Sequence, residues 1–202
     1  MIDLTTLLLV AGAYLLGSMA SAVLVSRAMG LADPRTVGSR NPGATNVLRH
    51  GGRAAAALTL LGDVAKGLAP VLAARALDAE PAVLALVGLA AFLGHLYPLF
   101  FGFRGGKGVA TACGVLLALS WPLGAATLVT WLLVAAVLRY SSLAAVAAAV
   151  LAPGYALALG VPAAVVAAVT LMAALLLWRH RSNIRNLMAG TEDKIGRSGT
   201  AG

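Results

Sequence analysis

Seven runs of apolar residues, each close to the length that crosses a lipid bilayer, dominate this chain. They cover about 4–26, 54–74, 82–101, 108–122, 123–138, 143–159 and 162–178. A helix of roughly 20 residues spans the hydrocarbon layer. In lipid the backbone must satisfy its own hydrogen bonds, so such runs fold as helices packed on one another. The fourth and fifth runs are short, and only "SWPLG" parts them. Only 11% of the 202 residues are charged, against roughly 25% in a soluble domain. The expected fold is all-α: a polytopic integral membrane protein of about seven transmembrane helices. With no repeat or linker to divide it, a single membrane-embedded domain over residues 1–202 is expected. Pro122, Pro153 and Pro162 mark expected breaks or kinks.

Orientation follows from the distribution of basic residues. The first run ends in "ASA" at 20–22, which resembles a cleavage site, but it opens with "MIDLTTLLL" and lacks a basic n-region. A retained first helix with its N-terminus outside is expected. That choice puts Arg27, Arg35, Arg40, Arg49, Arg53, Arg104, Lys107, Arg139, Arg179, Arg181, Arg185, Lys194 and Arg197 inside. Only Arg75 falls outside, and Lys66 lies within a span. Cytoplasmic loops carry such an excess of Lys and Arg. An odd number of spans then leaves the C-terminus in the cytoplasm. The net charge of +8 is thereby read as a cytoplasmic membrane face; with aromatics at 5% and the basic residues dispersed, nucleic acid is not an expected partner.

Three polar stretches share that inner face. The first, "GSRNPGATNVLRHGG" at 38–52, lacks helical or strand periodicity and reads as part of a loop over 28–53. Ser39, Asn41, Thr45 and Asn46 supply uncharged hydrogen-bonding groups, and Arg40 and Arg49 supply fixed charge. Gly38 and Gly43 let backbone N–H groups approach a ligand closely, and concavities of such groups bind anions, phosphate especially. A solvated loop held by Asx-turns is the plainer reading of the same residues.

The second stretch, "GHLYPLFFGFRGGKGVAT" at 94–111, has Gly105, Gly106 and Gly108 around Lys107. It is not a nucleotide P-loop: Phe101 and Gly108 stand where glycine and Ser/Thr are required, and no strand precedes it. What remains is a glycine turn with a lysine at a helix start, where anions are already favoured. The third, "WRHRSNIRNLMAGTE" at 178–192, places His180 and Asn183 at i and i+3, on one face of a helix. A basic stop-transfer flank explains its arginines but not that pair.

Other singular residues read as structural. His95 has Leu99 at i+4 and no metal-binding partner on its helix; no metal or cofactor is expected. Cys113 reads as inert packing. Asp63 and Lys66 in "GDVAKG" lie inside the second run, where ionisable residues are costly and paired. Their i, i+3 spacing lets them neutralise one another, as a structural pair that orients the site. The alternative, a proton relay, would call for further acids within the spans, and there are none. Asp33, Glu192 and Asp193 have no partners that the sequence reveals.

Taken together, "YLLGSMASAVLVSR", "DPRTVGSRNPGATNVLRHGG", "DVAKG", "GHLYPLFFGFRGGKGVAT", "YSSL" and "RHRSNIRNL" resemble, in order, the bacterial acyl-phosphate-dependent glycerol-3-phosphate acyltransferases, the PlsY family. Arg40 stands where many members have glycine. The resemblance implies transfer of a fatty acyl group from acyl phosphate to the 1-hydroxyl of glycerol 3-phosphate, giving 1-acylglycerol 3-phosphate and phosphate. It implies a multi-pass protein of the bacterial inner membrane, in contact with membrane lipid, whose donor comes from a soluble enzyme that makes acyl phosphate.

It also implies that Ser39, Asn41, Thr45, Arg49, Lys107, His180 and Asn183 line the site. Arg49 and Lys107 would bind phosphate with Ser39 and Thr45, while His180 and Asn183 orient the glycerol. Ser39, Arg49, Lys107, His180 and Asn183 form the expected catalytic set. Gly38, Asn41, Gly43, Thr45, Asn46, Gly105, Gly106 and Gly108 form the expected phosphate-binding set. Two routes stand open for the acceptor's proton: His180, or the acyl-phosphate oxygen itself.

Two rivals differ in class. An acyl-CoA enzyme with a His-x4-Asp motif is not supported, because Ala55, Phe100 and Arg185 stand five residues after His50, His95 and His180. A transporter for an anionic phosphorylated solute suits the basic loops, but no repeat relates the halves.

Overall fold

The computed structural model describes residues 3–196, so Arg197, assigned above to the inner face, lies outside the described residues. Those residues form α1 (Leu4–Gly17), α2 (Ser21–Ala28), α3 (Ala44–Ala76), α4 (Pro81–Leu96), a 3-10 turn (Leu99–Phe101), α5 (Val109–Leu119), α6 (Trp121–Leu138), α7 (Ser141–Ala158), α8 (Ala163–Arg179) and α9 (Arg181–Met188), with no strand among them. Local chemistry sets several boundaries. Asp3 caps α1 by accepting from the Thr6 amide at 2.8 Å. Pro81 and Pro122 sit in the first turns of α4 and α6, where a missing N–H costs nothing. Pro162 precedes α8, whereas Pro153 is carried inside an unbroken α7.

All seven apolar runs are helical, but they are not seven uniform rods. Four stretches are long and apolar enough to cross a membrane alone: Ala44–Ala76, Pro81–Phe101, Trp121–Leu138 and Ser141–Ala158. Two more spans arise only if bent pairs are counted, α1 with α2 at 46° and α8 with α9 at 58°. The seventh, α5, has 11 residues, about 16 Å of helix against a hydrocarbon layer of about 30 Å. A second difference concerns the polar loop. The chain is already helical from Ala44, and it continues into the long part of α3 across a kink at Gly52, whose φ of 83° only glycine adopts readily. Tertiary contacts, rather than apolar periodicity, hold this first helical stretch in place.

Close helix approach is achieved with glycine. Gly67 of α3 packs on the Thr111 carbonyl of α5, and Gly114 of α5 packs on the Val64 carbonyl of α3. The two contacts are reciprocal, and any Cβ at either position would collide with backbone. Gly17 of α1 and Gly94 of α4 bring the backbones of those helices together in the same way. Lipid gives no hydrophobic drive between helices, so small residues that permit tight van der Waals packing determine which pairs form. Phe92, Leu96, Val115 and Leu123 fill the centre, while Leu8, Leu133 and Val137 point outward.

One ionic cluster is sealed inside the bundle. Lys66 Nζ lies 2.8 Å from Asp63 Oδ1 and donates to the Met19 carbonyl, also at 2.8 Å, in the gap between α1 and α2. The expected i, i+3 pair is therefore formed, and it does a further job: Lys66 satisfies backbone exposed where the first span breaks. Unwound backbone at membrane depth is tolerated only when protein supplies such partners. His95 joins the pair from α4, with Nδ1 3.5 Å from Asp63 Oδ1. Removing one member of a buried ion pair typically costs 3–5 kcal/mol, because the other is left uncompensated. Asp63→Asn is therefore expected to destabilise the detergent-solubilised protein by about 3–5 kcal/mol. Adding Lys66→Met should recover more than half of that loss in the same denaturation experiment.

Candidate active site

The three polar stretches meet at one end of the bundle, joined by side chains that reach across long sequence separations. Lys107 Nζ, on the turn before α5, donates to Asn183 Oδ1 on α9. Asn183 Nδ2 in turn donates to Glu192 Oε1 at 2.7 Å. Arg49, on the first helical stretch, pairs with Asp193 at 2.9 Å. Arg179 grips the turn from the end of α8, donating to the carbonyls of Gly105 at 2.7 Å and Gly106 at 3.2 Å. Arg35, itself held by Asp33 at 2.6 Å, reaches the Phe101 carbonyl at 3.4 Å.

Backbone geometry shapes the turn and the loop. Gly108 caps α5 at a φ of 89° and is buried against Phe92 and Leu96, a place with neither conformational nor physical room for a side chain. Gly38 adopts a φ of 55°, and so does Arg40. The arginine thus occupies a left-handed conformation that favours glycine. Gly43 precedes the first helical stretch as its cap.

The expected residues divide into two groups. Ser39, Thr45 and Arg49 are exposed, Asn41, Lys107 and Asn183 are half-buried, and the Gly105 and Gly106 turn is buried beneath them. Thr45 Oγ1 meets Ser141 Oγ at 3.2 Å, which brings the start of α7 to the site. Asn46 differs. It is 2% exposed, and its amide is committed to the Ser39 N–H at 3.1 Å and to the carbonyls of Pro34 and Val37 at 2.8 and 3.1 Å. That arrangement makes it the knot that folds the loop.

His180 and Asn183 do not lie along one straight helix, because the chain bends by 58° between α8 and α9 at His180. His180 is buried, with Nδ1 2.8 Å from the Leu176 carbonyl. A carbonyl only accepts, so Nδ1 carries the proton and Nε2 keeps its lone pair. Glu192 and Asp193, for which the sequence reveals no partners, are tied to Asn183 and Arg49. The one signal for them was an acidic pair soon after a basic segment. Arg179, whose sequence context marks it only as an orientation charge, also belongs to the site.

Burial sets the protonation of the two key groups outside the spans. It pulls the Lys107 ammonium below its ordinary pKa; Glu192 opposes the shift, while Arg179 and Arg49 add to it. Burial also lowers the His180 imidazole to about 4, against the opposing Leu176 carbonyl and with help from Lys107. The imidazole is therefore neutral near pH 7 and a weak base. Among the described residues no group of three or more His, Cys, Asp or Glu could hold a metal ion.

The fold and the site together define a polytopic helical membrane protein with a cationic, glycine-lined site at its helix ends. Comparison with known proteins sharpens that class. Residues 7–190 match the family described as glycerol-3-phosphate acyltransferase. A protein of that name from Methylococcus capsulatus is 58% identical, over 94% of this chain and 96% of its own. A crystal structure of PlsY (YgiH), an integral membrane glycerol 3-phosphate acyltransferase in its glycerol 3-phosphate form, superposes with a TM-score of 0.90 at 40% identity, covering 95% of this chain and 96% of that one. The lysophosphatidic acid form of that enzyme gives 0.88 at 39% identity, with the same coverage. The chain belongs to the glycerol-3-phosphate acyltransferase family.

The lowered Lys107 pKa fixes the sign of a pH effect. A lysine so shifted loses its proton earlier than usual as pH rises, and its attraction for an anion goes with it. Calorimetry with inorganic phosphate is expected to show affinity falling at alkaline pH in the wild type. Lys107→Arg should remove that limb, since guanidinium stays charged. Superimposable curves would exclude Lys107 as the titrating contact.

Proposed function

We propose that this acyltransferase moves a fatty acyl group from acyl phosphate to the 1-hydroxyl of glycerol 3-phosphate, releasing 1-acylglycerol 3-phosphate and inorganic phosphate in phospholipid synthesis. The observation that carries the reading is the convergence of Arg49, Lys107, Arg179 and the glycine turn at one membrane-boundary site. Both substrates bear phosphate, and two anions come together only where cations separate them. Arg49 and Lys107 are assigned to phosphate, with Ser39 and Thr45 hydrogen-bonding its oxygens and loop amides completing the cradle. Asn183 orients the glycerol. Glu192 and Asp193 hold the amide and the guanidinium in place until substrate phosphate arrives.

Beside Glu192 lies an open, mostly apolar recess of about 370 Å³, lined by Tyr140, Leu143, Leu187 and Met188 among others. It suits the first carbons of an acyl chain whose carbonyl faces the polar cluster. The hydroxyl oxygen attacks that carbonyl carbon, the carbon–oxygen bond to phosphate breaks, and phosphate leaves. For the proton, we assign the departing phosphate oxygen as acceptor. A buried imidazole with a pKa of about 4 is poorly matched to general-base work near neutrality. Nε2 of His180 remains available to receive a hydrogen bond from a substrate hydroxyl.

The whole chain acts as one membrane-embedded unit, in this reading, with its N-terminus outside and the site facing the cytoplasm at the inner membrane. That orientation lets a soluble enzyme that makes acyl phosphate deliver the donor to the same face.

Phosphate release by the detergent-purified protein is expected to require both acyl phosphate and glycerol 3-phosphate. Loss of one charge-assisted contact of about 1.5–3 kcal/mol should lower kcat/KM by about 10- to 100-fold in Arg49→Ala and Lys107→Ala. Release that ignores glycerol 3-phosphate would end the assignment. For His180→Ala, turnover should fall by less than about 10⁴-fold, the upper end of what a general base supplies. Single cysteines placed at 39, 107 and 183 should react with impermeant thiol reagents only from the cytoplasmic side.

A further inference from the structure

The proposed chemistry makes no use of the polar cluster buried beneath it, yet that cluster touches the glycine turn. His95 stands near the end of α4, and its carbonyl accepts from the Gly106 N–H at 3.2 Å. Its imidazole fills the space directly under Gly106. A methyl group on Gly106 would collide with Nε2 and come within 3.0 Å of Cε1. On its other side the ring faces Asp63, with 3.5 Å between Nδ1 and Oδ1, and Asp63 is fixed by Lys66 at 2.8 Å. His95, Asp63 and Lys66 are 6%, 2% and 5% exposed. A rigid line of contacts therefore runs from α3 through the imidazole to the residue before Lys107, while Arg179 holds the same turn from above.

We propose that His95 is a positioning residue: its ring, braced by Asp63, sets the height of the Gly105–Lys107 turn and so places the Lys107 ammonium for the acceptor's phosphate. The inference rests on the acyl-transfer reading above. Glycerol 3-phosphate is the sensitive substrate because polar contacts are all that hold it. An acyl phosphate is also held by its chain in lipid. Displacements of about 1 Å in a positioning element cost as much as 10²-fold, so small movements of this turn are enough.

The test is a double-mutant cycle on the full-length protein in detergent or vesicles, with KM for glycerol 3-phosphate as the readout. His95→Ala is expected to raise that KM by about 10-fold or more, with kcat at saturation changing less than about 3-fold. Gly106→Ala should raise it too, because the new methyl meets the ring. In the His95→Ala background the two ring contacts are gone and the Pro42 carbonyl remains, at 3.2 Å, so the cost of the same methyl should shrink by about 5-fold or more. Costs that simply multiply, or a lower unfolding temperature with an unchanged KM, overturn the proposal.

If His95→Ala does not fold, His95→Gln and His95→Leu take its place. The glutamine amide keeps a polar group facing Asp63 and should stay near the wild-type KM, whereas leucine should not; equal values for the two overturn the proposal. If wild-type protein shows no two-substrate phosphate release, the acyl-transfer reading has failed. Calorimetry with inorganic phosphate then decides the positioning role alone: about 10-fold weaker binding in His95→Ala, or in His95→Leu relative to His95→Gln, supports it, and unchanged binding removes it.

Discussion

A lysine sealed inside a helical bundle must find both a countercharge and acceptors for its N–H groups, and Lys66 finds both within a short radius. Asp63 neutralises it from the same helix, and the Met19 carbonyl takes a hydrogen bond at the place where the first span comes apart. Without that ammonium, the broken backbone between α1 and α2 would be left facing apolar surroundings, where an unpaired carbonyl is expensive. The break redirects the chain by 46°, so α2 leads into the polar loop from a fixed direction. A charge that would be a liability elsewhere therefore sets the path of the segment that carries Ser39 and Arg49.

At the site itself the governing problem is concentrated positive charge. Arg49, Lys107 and Arg179 are gathered from three separated parts of the chain, and each is met by something other than a full buried anion. Arg179 uses backbone carbonyls, Lys107 uses the amide oxygen of Asn183, and only the more exposed Arg49 has a carboxylate. Partners of this kind hold the cations in geometry without cancelling them. Glu192 stands one step back, bonded to Asn183 rather than to the lysine. The potential is left available to a substrate, and the tail from Thr191 is tethered to the loop between α6 and α7 through Arg139 and Ile195.

Much of this was legible from local sequence, and the rest was not, for identifiable reasons. The apolar runs predicted helices because burial in lipid depends on composition within a window, and "NPGATNVLR" with "GGKGVAT" located the polar stretches. Helix breaks were less visible: Gly52 turns α3 at a positive φ that neighbouring residues do not announce, and the gap at 18–20 in the first span has its Met19 carbonyl met by Lys66, far away in the chain. The loop reading of 38–52 holds only as far as Gly43, since residues 44–51 are helical without the pattern that announces a buried face. Asn46 has the chemistry of a phosphate contact, but its amide is turned inward to tie the loop. Pairings across long separations, Arg49 with Asp193 and His95 with Asp63, leave no mark in either partner's neighbourhood.

The shortness of α5 has a consequence for how two unlike substrates meet. Locked to α3 by the paired glycines, an 11-residue helix cannot slide along its neighbour, so its lysine-bearing start is fixed in depth within the bundle. On the proposed reading, a donor kept in the bilayer by its hydrocarbon tail and an acceptor dissolved in water meet at that fixed start, and neither has to abandon its own solvent to react.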